Sequence, residues 1–204
     1  MPNTQAQFGF RHIGYLSGGA PDYQLRAYTI ASSYATAIGL GDPVLLTTGA
    51  SNTGTLIQAT GALATTVPIL GIFQGCQLIP TTGGPPQWSP FYPAAAQGAN
   101  TIAYVIDAPN AKFLVASLSA SVSSSNIGWN INFTTGVPTT TGGGFSIATV
   151  DQSTATTLGT TSSFLPFKVL NLYSGIGNGS DPTTNFAWVE VGFNFQLHRS
   201  LTHG

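Results

Sequence analysis

The sequence predicts an all-β protein, a jelly-roll-like antiparallel sandwich that carries an extended N-terminal arm. Three observations point there. Short β-prone runs recur between clusters of Thr, Ser, 25 glycines and 13 prolines, the punctuation of many short strands joined by turns. No window repeats its apolar residues at helical spacing, and the helix-favouring Glu, Lys and Arg are nearly absent. Near the end, Ala187, Val189, Val191, Phe193, Phe195 and Leu197 alternate with Trp188, Glu190, Asn194, Gln196 and His198. That period of two is the signature of a half-buried antiparallel strand. Residues 1–27 read as the arm and residues 28–204 as the sandwich domain, with no internal repeat.

The arm has little periodicity and holds Gly9, Gly14, Gly18, Gly19 and Pro21, so it is expected to order by docking on something else. Its apolar groups, among them Phe8, Phe10, Ile13, Tyr15 and Leu16, are wasted on a free tail. Strand signals begin at Tyr28-Thr-Ile-Ala. Pro43–Thr47 and Thr55–Gln58 flank turn-formers and predict a hairpin. The apolar stretch Ala62 to Ile79 is broken by Pro68, Gly71 and Gly75, so it reads as two strands and a turn rather than a membrane span. From Gly83 to Pro93 the prolines fix φ and remove donors, which predicts an irregular aromatic loop. Thr101–Ile106, Lys112–Ala116 and Phe145–Val150 read as strands. Ile127, Trp129, Ile131 and Phe133 line one face of another. One turn of helix is compatible with Ala94–Gln97 or with Ser121–Ser125.

Charge is the second theme. Asp, Glu, Lys and Arg make up 5% of the chain, against roughly 25% in ordinary soluble proteins. No charged residue and no histidine lies between Asp42 and Asp107. With 42% hydrophobic residues the chain is not a disordered one, which would pair low hydrophobicity with high charge. A surface so poor in ionic groups suits lasting contact with other protein more than free dispersal. Five basic residues scattered from Arg11 to Arg199 do not make the cluster that phosphate neutralisation needs, so no nucleic-acid partner is expected. The N-terminus lacks the charged start and apolar run of a secretory signal, and no membrane partner is expected.

Catalytic patterns are not found. The six acidic residues are never within motif spacing of each other, and Asp42-Pro and Asp181-Pro are turn signatures. His198 and His203 read as tail residues rather than metal ligands, and His12 as a contact residue. Cys76 has no basic neighbour to activate it and reads as an inert thiol. Gly142–Gly144 lacks the Lys of a phosphate loop. Asn132-Phe-Thr and Asn178-Gly-Ser are chance glycosylation matches in a Thr/Ser-rich chain. No enzyme activity, cofactor or metal is expected. Trp88, Phe91 and Tyr92 are suited to packing at an interface, with sugar stacking as the alternative use.

Several segments, in order, resemble a known family. They are Tyr28-Thr-Ile-Ala-Ser-Ser-Tyr-Ala-Thr, Gly41-Asp-Pro-Val, Pro68-Ile-Leu-Gly-Ile-Phe-Gln-Gly-Cys-Gln, Ser89-Pro-Phe-Tyr-Pro, Ala103-Tyr-Val-Ile-Asp-Ala-Pro and Trp188-Val-Glu-Val. Together they resemble the capsid cement, or decoration, proteins of short-tailed bacteriophages, over most of residues 8 to 198. The chain departs from that pattern in its lower charge, its Thr/Ser/Gly stretch from Val137 to Ser163 and its C-terminal tail. The resemblance implies a β-rich protein, made in the host cytoplasm, that binds the outer surface of the phage head and clamps neighbouring major capsid subunits. Its partners are then the major capsid protein and copies of itself, as a dimer or trimer at a local symmetry axis. Contact candidates are Phe8, Phe10, Arg11, Ile13, Tyr15, Arg26, Trp88, Phe91 and Tyr92. Two rivals share the composition: a jelly-roll shell or head-fibre subunit, and a carbohydrate-binding β-sandwich with Trp88 and Tyr92 as platforms.

Overall fold

Twelve strands pair into two antiparallel sheets in the computed structural model, which describes residues 7–47, 54–81, 83–94, 99–118, 122–136, 138, 144–156, 164–173 and 186–199. In chain order the strands are β1 (Arg11–Tyr15), β2 (Arg26–Ile30), β3 (Pro43–Leu46), β4 (Leu56–Gln58), β5 (Gly71–Leu78), β6 (Gln87–Ser89), β7 (Thr101–Ile106), β8 (Ala111–Ala116), β9 (Asn130–Thr134), β10 (Thr149–Thr156), β11 (Phe167–Leu172) and β12 (Trp188–Phe193). Sheet A runs β1-β8-β12-β11-β9-β10. Sheet B runs β2-β7-β5-β3-β4, with β6 also paired to β5. Among the described residues, no helix is long and apolar enough to cross a membrane.

The main core lies between the sheets. Sheet A turns Phe113, Val115, Ile131, Phe133, Phe167, Val169, Val189, Val191 and Phe193 inward, and sheet B answers with Leu45, Ile72 and Ile106. Sheet B buries its other face too. Val44, Leu56, Phe73, Cys76, Ala103 and Val105 pack there under Ile38 and Tyr92. The cover is held by paired backbone bonds between Ile38 and Tyr92, at 3.0 and 2.9 Å, and by the Tyr92 hydroxyl donating to the Tyr34 carbonyl at 2.9 Å. Burial on both faces is why the start of β5, Gly71 to Phe73, reads as an apolar run instead of an alternating one.

One buried carboxylate ties the cover to β4 and to the segment before β10. Asp42 is fully buried and accepts from Gly39 N–H at 2.7 Å, Gln58 Nε2 at 2.8 Å and the Ser146 hydroxyl. Burial pushes its acid up to about 6 despite these donors, because a charge removed from water is disfavoured.

Several expectations change. Part of the segment expected as an arm is sheet instead: β1 is the edge strand of sheet A, paired with β8. Phe10 is 1% exposed in the main core, its ring stacked on Phe167 at 4.4 Å. A bulge between His12 and Gly14 breaks the period of two that would have announced this strand. Residues 16–25 have no regular structure, and Leu16, Tyr23 and Leu25 are exposed. The stretch Ala62 to Ile79 holds a short 3-10 turn, Leu63–Thr65, and one strand rather than two. The Gly83–Pro93 loop contains β6, three residues that fit between Pro86 and Pro90 and pair with β5. Ile127 and Trp129 precede β9 and follow a 3-10 turn at Ser124–Asn126, so only Ile131 and Phe133 of that expected face are buried. Phe145 stays outside β10 and is 49% exposed. The alternation ending the chain holds from Ala187 to Phe193, then fails: β12 stops, and Gln196 is fully buried. The hairpin of β3 and β4 forms as expected. Residues 95–97, 121, 137 and 157–163 lie outside the described residues, as do Asn178, Asp181 and His203.

Candidate functional site: a polar cluster and an open sheet face

The contact candidates do not form one surface. Phe10 and Tyr92 are core residues at 1% and 0% exposure and are withdrawn as contacts, because a capsid subunit or a sugar cannot reach them. Phe91 is partly buried beside Gly144. Ile13 and Tyr15 are half-buried in β1, and the Tyr15 hydroxyl donates to Asp22. Phe8 and Arg11 remain together on the sheet A side. The Arg11 guanidinium lies 4.8 Å from the Phe8 ring centre, and Phe8 meets Trp188 edge-on at 5.0 Å. Next to β1, Phe8, Phe10, Arg11, His12, Tyr23 and Gln74 line part of a cleft of about 390 Å³. His12 in its wall gives its Nε2 proton to the Gly14 carbonyl at 3.0 Å, and burial lowers its pKa. Arg26 and Trp88 fall on sheet B, in two different settings.

Arg26 joins a cluster that sequence reasoning did not find. Oδ2 of Asp107 receives the Tyr28 hydroxyl at 2.5 Å, His198 Nε2 at 3.1 Å and Arg26 at 3.2 Å. The Tyr28 oxygen is also 3.3 Å from His198 Nε2. Partners 79, 91 and 170 positions apart share no local spacing that a motif search detects. Burial and the Asp107 bond push Tyr28 up to about 12, so its hydroxyl stays a proton donor, and the Asp107 charge raises the pKa of Arg26. Below the cluster, Gln196 Nε2 donates to the Leu70 and Asp107 carbonyls at 2.8 and 2.9 Å. One carboxylate thus fastens the segment after β12 to β2 and to the end of β7. An Asp–His pair also orients an imidazole for proton transfer, but here one nitrogen, His198 Nε2, faces both the Asp107 carboxylate and the Tyr28 hydroxyl, and the geometry is that of a clamp.

Trp88 stands in the open. It is 59% exposed, and its ring centre is 5.4 Å from that of Tyr104. The indole lies across the backbone of Gly75, where an added Cβ would sit 2.6 Å from the ring. Gly75 has φ +128, a conformation that side chains other than hydrogen disfavour. Cys76, the next residue, is fully buried; its thiol points to the Phe91 carbonyl at 3.4 Å and is pushed up to about 12 by burial. Among the described residues no group of three metal-binding side chains occurs. Compared with known proteins, the chain matches no family model, no curated protein and no solved structure.

Proposed function

We propose that this chain is a structural virion protein, a cement subunit that binds the outer surface of a phage head and clamps neighbouring major capsid subunits. The observation that carries the reading is charge: five basic and six acidic residues serve an accessible surface of 9628 Å². Such a surface is dispersed poorly by repulsion and is suited to permanent cover by protein. The ordered segment resemblance to cement proteins supports the same reading. In it the two-sheet body is jelly-roll-like, and the exposed excursion of residues 16–25, with Leu16, Tyr23 and Leu25, is what remains of the arm and lies along a neighbour. Contacts with several shell subunits at once multiply weak individual affinities. The protein is not an enzyme and needs no cofactor.

Cryo-electron microscopy of the source particle at subunit resolution tests this. Density for the chain on the outer face of the shell, touching more than one capsid subunit, is expected. Its absence from the particle, or a place inside the shell, overturns the reading. Binding that rests on apolar burial and neutral hydrogen bonds should also survive about 1 M salt, where the screening length falls to about 3 Å.

A further inference from the structure

We infer that the Trp88–Tyr104 face of sheet B is a binding platform for neutral oligosaccharides. The strand register builds it. Trp88 sits opposite Gln77 on β5, Gln77 opposite Ile102 on β7, and Ile102 opposite Thr29 on β2. These four side chains form a straight row across four strands, roughly 14 Å from end to end at the usual strand spacing. Behind it runs a second row, Gly75, Tyr104 and Ala27. Both rows project from the same face as Ile106, but Ile106 is buried against sheet A while Ile102 is 42% and Trp88 59% exposed. Sheet B therefore overhangs sheet A at this end and leaves a strip open, with the Trp88 and Tyr104 rings inclined at 42° to each other.

The chemistry of the strip selects its occupant. It carries two aromatic rings, an amide at Gln77, a hydroxyl at Thr29 and no charged side chain. An anionic or cationic ligand finds no counter-charge there. A pyranose presents an apolar face of C–H groups to stack on an indole, and a rim of hydroxyls that exchange hydrogen bonds with an amide and a hydroxyl. Gly75 adds a constructive detail: its missing side chain leaves room for the benzo edge of the indole against the backbone, so the ring is held in place before any ligand arrives, which lowers the ordering cost of binding. Tyr92, which sequence reasoning paired with Trp88, is buried; Tyr104 takes its place. An extended row across four strands fits β-1,4-linked chains, whose successive rings run along an extended ribbon.

Cellohexaose and chitohexaose are the probes. Each is titrated into the whole protein while the Trp88 indole N–H is followed by NMR, its signal assigned from Trp88→Phe. Saturable shifts with a Kd near or below about 1 mM are expected for at least one of the two. Trp88→Ala should weaken binding more than about tenfold, Trp88→Phe less, and Tyr104→Ala severalfold, with unchanged thermal melting showing that each variant is folded. Trp129→Phe should bind as the parent does. No shift with either sugar at about 10 mM, or binding that survives Trp88→Ala in a folded protein, overturns the proposal. Loss of shell binding by Trp88→Ala without any sugar response assigns the strip to a protein contact, and also overturns it. The cement reading stands or falls separately, on the particle.

Discussion

Arg11, Lys112, Glu190, Lys168 and Asp151 are spread over five strands of sheet A, whereas sheet B holds one charged strand residue, Arg26, at the start of an edge strand. The difference follows from what each sheet covers. Sheet A has one face in the core and one in solvent, so every second position accepts a charge. Sheet B is buried on one side by sheet A and on the other by the Ile38 and Tyr92 cover, so a charge on β3 or β5 would be stranded away from water. The charge-free run from Pro43 to Ile106 contains β3, β4, β5, β6 and β7, all of sheet B but β2. Part of what composition suggested about the protein's surface is thus a statement about its interior. Where sheet B does reach solvent, at the overhang, its neutrality is a property of the surface itself.

The contrast can be broken at its centre. Phe10 enters the core from the edge of sheet A and touches the Phe113, Phe133 and Phe167 rings. Phe10→Ala should cost about 3–5 kcal/mol, as much as Phe193→Ala, measured by chemical denaturation. A loss under about 1 kcal/mol would return the N-terminal residues to the status of a detachable arm.

Next is Asp42, which links the sheet B cover to the segment before β10. Its acid is raised from 3.8 to about 6, so the folded state binds this proton more tightly than the unfolded state does. Stability is therefore greater below about pH 3.8 as far as this group is concerned, declines as pH rises to about 6, and is level above. The decline is at most about 3 kcal/mol. Denaturation midpoints of Asp42→Asn against the parent, taken between pH 4 and 7, check it: the variant should lack that slope. An identical slope in both proteins places the titration elsewhere.

Gln196→Ala comes third. It removes two donors from buried carbonyls and should cost about 1–3 kcal/mol, where an outward-facing residue would cost under about 0.5 kcal/mol. The smallest effect belongs to the exposed side of sheet A. Lys112 and Glu190 approach to 4.0 Å, both partly solvated, and Lys112→Ala should change stability by less than about 0.5 kcal/mol. A Lys112 effect larger than that of Gln196 would invert the assignment of inside and outside.

These cases also show how far the sequence could be read. Alternation revealed β12 because Ala187 to Phe193 keep a strict period of two in an unbroken strand. The same rule misplaced Gln196, since parity carries no information once the strand ends at Phe193. It missed β1 because the His12–Gly14 bulge shifts the phase, and it missed β6 because four flanking prolines outweighed three residues able to pair. The Asp107 clamp was out of reach for another reason: Arg26, Tyr28, Asp107 and His198 are distant along the chain, and only the sheet topology brings them together. Trp88 was legible as an aromatic worth noting, but its partner depended on register, which set Tyr104 beside it and Tyr92 inside.

The place of β12 between β8 and β11 has a consequence in time. Sheet B is assembled from residues 26–106, so its strands have all left the ribosome before sheet A can begin to close. Strand β1 waits for β8, about a hundred residues later, an interval on the order of 5–20 s at ordinary rates of synthesis. The halves of sheet A then stay apart until residues 188–193 arrive to join them. Through that wait Phe10 and the inner face of β8 have sheet B on one side but not the rest of sheet A around them, and the nascent chain is most exposed to aggregation or to a chaperone.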